Sequence, residues 1–121
     1  MKKIRVFRKV AYHMLTQNKK SETGHNCWYR FDTDPKIRCA IGCLIDDRNY
    51  SKDLEGRSIE NPKVQEAISL SLDEPIASKD VRFLKELQDI HDYDHVDDWH
   101  DKLNKFAKDK FNQTLYEMEL I

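Results

Sequence analysis

Glycine is scarce in this chain. It has three in 121 residues, at positions 24, 42 and 56, too scattered to build a glycine-rich phosphate loop. No Gly-x-Ser-x-Gly nucleophile turn is present. The three cysteines at 27, 39 and 43 include no Cys-x-x-Cys pair, which leaves a zinc site weakly supported. They cannot all pair with one another, and no apolar signal-peptide core precedes them. Both observations point to a reducing cytoplasm. No stretch approaches the ~20 apolar residues of a membrane span.

What is present is charge. Asp, Glu, Lys and Arg make up 36% of the chain and hydrophobic residues 39%, with a net charge of -1. The apolar residues fall in periodic runs, so the composition is that of one folded domain, residues 1–121, with a very polar surface. The charge is unevenly placed. Residues 1–38 hold ten Lys/Arg against three Asp/Glu, and residues 39–121 hold eleven against nineteen. Such a division suits either an anionic partner for the basic part or attraction between the two halves in the fold. The acidic second half argues against broad, salt-driven affinity for DNA. Nucleic acid is thus a lesser expectation than a host protein or an anionic small molecule such as a nucleotide.

The periodicity predicts a mostly helical α+β domain, with four to five helices on a small antiparallel sheet. Ile4, Phe7, Val10, Ala11, Met14 and Leu15 share one face of a helix over 3–18. Cys27, Tyr29 and Phe31 alternate with Trp28 and Arg30. Ile37, Cys39 and Ile41 alternate with Arg38 and Ala40. A loop at 32–36 would join these runs into a hairpin over about 27–41, with Tyr29, Phe31, Ile37 and Cys39 inward. Cys43 to Ile45 reads as a short buried turn. Asn61-Pro62 opens a helix with a capping side chain and a first-turn proline. Ser78 and Asp97 are expected to cap two more helices. Tyr116, Met118 and Leu120 alternate with Glu117 and Glu119, which predicts a strand over about 114–120.

Three groups of residues could carry chemistry. His91 and His95 stand four apart beside Asp92, a spacing that could hold a metal or serve a phosphohydrolase. A helix break between Asp94 and Asp97 would separate them, so no metal or other cofactor is expected. Cys39 near a strand end could act as a nucleophile if His13, His25 or His91 supplied the base. The alternation instead places it in the core, as a small hydrophobe. Trp28, Arg30 and Arg38 fall on the outward hairpin face, followed by Tyr50 and Glu55. Aromatic and guanidinium groups together suit a partner interface or an anionic ligand. They equally suit a covered sheet face with its arginines paired to Asp46 or Asp47.

The blocks Cys-x-Tyr-Arg (27–30), Cys-Ala-Ile-Gly-Cys-Leu-Ile-Asp-Asp (39–47), Tyr50, Glu55-Gly56, Phe-Leu-x-x-Leu-Gln-x-Ile-His-Asp (83–92) and Trp99 resemble a family of small proteins encoded by bacteria, prophages and phages. The likeness covers nearly the whole chain in order. It departs at Ile45-Asp46-Asp47, where the family often has Ile-Pro-Asp, and at Asp34-Pro35, where it often has a glycine turn. The family carries no established activity. The resemblance implies a cytoplasmic protein of bacterial or phage origin. Together with its size and polarity, it suggests a non-enzymatic binding protein that inhibits a host factor or host defence. The alternative is a small hydrolase using Cys39 with a histidine, or a metal-dependent phosphohydrolase using His91 and Asp92.

Overall fold

Four amphipathic helices and one minimal strand pair make up the computed structural model, which describes residues 1–24 and 26–121. The helices are α1 (Lys3–Gln17), α2 (Pro62–Leu72), α3 (Ser78–Tyr93) and α4 (Trp99–Phe111). The strands β1 (Glu22–Thr23) and β2 (Asn26–Cys27) pair antiparallel, with Glu22 opposite Cys27. This is the expected mostly helical α+β class. Among the described residues no helix is long and apolar enough to cross a membrane.

The expected apolar faces form the core. Val6, Phe7, Val10, Ala11 and Met14 of α1 are buried, whereas Ile4 stays exposed at the helix start. Phe7 stacks flat on Phe106 of α4, ring centroids 5.5 Å apart, with Phe83 and Phe111 completing an aromatic cluster. Asn61 caps α2, accepting the Lys63 N–H at 2.9 Å, and Pro62 is the first helical residue. The other two caps differ from expectation. Ala77 occupies the cap of α3, where the Asp80 carboxylate accepts its N–H at 2.9 Å. A 3-10 turn at Val96–Asp98 precedes α4, so Asp98, not Asp97, sits at the cap.

The strands are not where alternation placed them. The pair lies at 22–27, and residues 28–41 form an irregular crossing with no strand. One cross-link of the expected hairpin remains, from Phe31 N–H to the Ile37 carbonyl at 2.9 Å. Side chains have captured much of the rest of the ladder, and the Trp28 and Ile37 N–H groups turn to the Ser21 and Asp34 carbonyls. Glu55 accepts the N–H groups of Tyr29 and Arg30 at 2.9 and 3.1 Å. Gln17 grips Arg38 at both ends of its backbone, accepting its N–H at 2.9 Å and donating to its carbonyl at 2.8 Å. Gln88 accepts the Ile41 N–H at 2.9 Å. Buried backbone groups need partners, and these are satisfied without a second strand. The burial pattern partly survives: Tyr29 and Cys39 are buried, Phe31 and Ile37 half-buried.

The tail also differs. Residues 115–119 coil into turns, with Leu115 and Met118 buried and Tyr116 exposed, instead of forming a strand. The cause is a local capping box. Thr114 Oγ1 accepts the Glu117 N–H, and the Glu117 carboxylate accepts the Thr114 N–H, both at 3.0 Å. Thr-x-x-Glu was visible in the sequence, and it outweighs a period of two.

Candidate functional site

The outward set expected at 28–55 is divided among three places. Arg30, Tyr50 and Glu55 form an inward latch. The Arg30 guanidinium lies 4.2 Å from the Tyr50 ring centre and donates to the Ile45 carbonyl at 3.2 Å. Tyr50 donates its hydroxyl to Glu55 at 2.6 Å. Trp28 lines a cleft, together with one edge of Glu55, and Arg38 lines a separate groove against α1. The arginines do meet Asp47, at 2.9 Å from Arg30 and 3.4 Å from Arg38. The Arg30 side chain is only 11% exposed, so its work is structural. Arg30→Ala should lower stability by about 2 kcal/mol, through the lost charge-assisted bond and the cation–π contact. Arg38→Ala should cost under about 1 kcal/mol, as for an exposed pair. Thermal unfolding of the two variants checks this, and equal shifts would contradict it.

The side chains most suggestive of chemistry converge elsewhere. Residues 26–29, residues 55–59 and α3 enclose a cleft of about 610 Å³. Cys27, Gln88 and Asp92 contribute to its lining, and His91 lies behind them, fully buried. The ligand atoms of Cys27, His91 and Asp92 all lie within 4.8 Å of one another. Gln88 Nε2 donates to Asp92 at 2.8 Å and lies 3.1 Å from the Cys27 sulfur. His91 stacks on Trp99, ring centroids 5.4 Å apart.

This resembles a cysteine–histidine–aspartate triad or a three-ligand metal cluster. One backbone group decides against both. The Ser21 amide donates to His91 Nε2 at 3.1 Å. Nε2 therefore carries no proton, and the neutral ring bears its hydrogen on Nδ1, which donates to Asp92 Oδ1 at 2.8 Å. Neither nitrogen has a free lone pair with which to take a thiol proton or bind a metal. A metal-bound imidazole needs an acceptor at its other nitrogen, and here there is a donor.

The two thiols of this region titrate accordingly. Contact with the Cys39 thiol, then burial, raises the Cys27 pKa far above the ordinary thiol range. Burial pushes Cys43 up to about 12. Burial also raises Asp92, but its bonds with His91 and Gln88 outweigh this and leave it below the usual carboxylate range. Burial lowers His91, while Asp92 and Cys27 more than offset it and raise the ring's pKa. That shift favours a proton at Nε2, where the Ser21 amide opposes one.

Cys39 is fully buried, as the alternation placed it, and its sulfur accepts the Gly42 N–H at 3.3 Å, so the alternative of a nucleophile here has no path to a substrate. His13 binds the Arg38 carbonyl at 2.9 Å, and burial lowers its pKa. His25, another base considered from sequence, lies outside the described residues. His95 is exposed beyond the end of α3 and shares no cluster with His91. Thiol reactivity tests this picture. At mildly alkaline pH, Cys43 in the folded protein should react with an aromatic disulfide roughly a thousandfold more slowly than in denaturant, because so little thiolate forms. Cys27 should be slower still. A folded-state thiol reacting at the free-cysteine rate would restore the nucleophile.

No family model, curated protein or solved structure matches this chain. Sequence reasoning missed Ser21, Cys27 and Gln88. A signal existed for Gln88 and His91: two polar residues interrupt the apolar stripe of α3, next to Leu84 and Leu87. None existed for Ser21, whose role is a backbone N–H.

Proposed function

We propose that this protein acts by binding and not by catalysis, and that the cleft beside α3 receives a basic side chain of a partner protein. The observation that carries this is Asp89. It lines the cleft one helical turn from Asp92 and, among the described residues, meets no cation within ion-pair distance. Burial and the neighbouring Asp92 charge raise its pKa, a strain that a bound cation would relieve. Trp28 and Tyr93 supply aromatic walls, with Tyr93 82% exposed. An arginine or lysine fits between such walls and carboxylates. The cleft's own cations are already engaged, Arg57 with Asp53 and Lys85 with Glu60. That favours a protein side chain over a nucleotide. With the sequence resemblance, this reading describes a cytoplasmic accessory protein of bacterial or phage origin that occupies a host factor and inhibits it.

Titration with arginine amide, followed by NMR, tests the cleft. Shifts should concentrate at the Trp28 indole and Tyr93, and Asp89→Asn should weaken binding roughly tenfold by removing a charge-assisted bond. Absence of any shift in the cleft would remove the proposal. Hydrolysis of an activated ester that disappears in Cys27→Ser would replace it with the enzyme reading.

A further inference from the structure

A second concavity lies on the opposite charge balance. It is a groove of about 670 Å³ between the outer face of α1 and residues 34–38. Lys9, Lys19, Lys36 and Arg38 line it, with Asp34 as the one acid in the lining. Among the described residues, Lys9, Lys19 and Lys36 meet no carboxylate within ion-pair distance, whereas Arg38 shares Asp47 with Arg30. Tyr12 also lines the groove and is 63% exposed.

The groove is held open by built structure. Gln17 binds the Arg38 backbone at both its N–H and its carbonyl, and His13 binds the same carbonyl at 2.9 Å. Three bonds thus fix the backbone of Arg38 against the last turns of α1. The cations of two distant segments, 9–19 and 36–38, are brought to one groove before any partner arrives. The uneven charge of the sequence therefore does not cancel within the fold at this face.

From this we infer that the groove binds single-stranded nucleic acid. Four cations and one exposed aromatic ring in the lining of a single groove match the two needs of a single strand: charge along the phosphates and a face on which a base stacks. A duplex hides its bases and could not use Tyr12. It would also bring many more phosphates toward the acidic remainder of the surface, where residues 39–121 carry nineteen acids against eleven Lys/Arg. A short single strand touches only the basic face. The inference is independent of the cleft beside α3, which lies on other elements.

Fluorescence anisotropy of a labelled short oligothymidylate with the full chain tests it. Binding should be measurable at low salt and fall with salt at a log–log slope of roughly -3, as for four phosphates neutralised on a single strand. Tyr12→Ala should weaken it about tenfold through lost stacking. The double variant Lys9→Ala/Lys36→Ala should halve the salt slope to about -1.4. These side chains lie on the surface or at the groove, and circular dichroism of each variant confirms its fold. Lys108→Ala, on exposed α4 surface, should change nothing. No binding at low salt overturns the inference. So does binding that Tyr12→Ala leaves intact and that polyglutamate displaces equally well, since the groove would then be an acidic-protein face.

Discussion

Gly42→Ala should be among the most damaging single-methyl additions to this protein. A Cβ built at Gly42 would stand 2.0 Å from the Tyr29 carbonyl oxygen and 2.8 Å from its carbon. Both are backbone atoms, so no side-chain rotation can relieve the clash. Tyr29 cannot retreat easily either. Glu55 holds its N–H, and its hydroxyl donates to the Arg57 carbonyl. The 3-10 turn at Gly42–Leu44 is itself core, with Leu44 fully buried. Overpacking against a tied backbone should cost about 3 kcal/mol or more, or a fall in melting temperature on the order of 10 °C. Gly56→Ala is the comparison. Gly56 has φ +78° with nothing within 4 Å of a Cβ, so its cost is about 1–2 kcal/mol, that of a left-handed backbone alone. Chemical unfolding of both variants reads the difference. If the two lose equal stability, the close approach at Tyr29 is not what makes Gly42 necessary.

His91→Ala should cost about 4 kcal/mol. The ring is fully buried and stacks on Trp99, so its removal leaves a cavity. It also strands the buried Ser21 N–H and takes one of its donors from Asp92. An unsatisfied buried donor costs about 1–3 kcal/mol on its own. His95→Ala and His100→Ala, both on exposed side chains, should stay within about 0.5 kcal/mol of the parent. Urea unfolding of the three variants provides the measurement. A His91→Ala variant as stable as His95→Ala would mean that the ring is not the keystone of this network, and would return it to the list of functional groups.

The helices show why the sequence was readable where it was. α1 needs only its own residues to declare a buried face, because side chains three and four apart meet along one helix. α2 declares its start through Asn61 and Pro62 for the same local reason. Burial of Tyr29 and Cys39 was legible from alternation even though no strand forms there. The strand assignments failed where another local or distant group outbid the ladder. Thr114 and Glu117 did so within four residues, and Glu55, Gln17 and Gln88 did so across the fold.

The candidate site was less legible. Trp28 and Glu55 do reach the cleft, but Arg30 and Tyr50 turn inward and Arg38 faces a different groove. Sequence by itself determined the helical class, most of the core and the segregation of charge, since each depends on the spacing of neighbours. Tertiary structure alone decided that Cys27 and Asp92 meet in one recess, and that Lys36 stands beside α1. It also decided that a serine amide, seventy positions from His91, sets the tautomer and so the chemistry of that ring. Backbone hydrogen-bond partners of this kind follow from where distant segments settle, and no periodicity in the sequence records them.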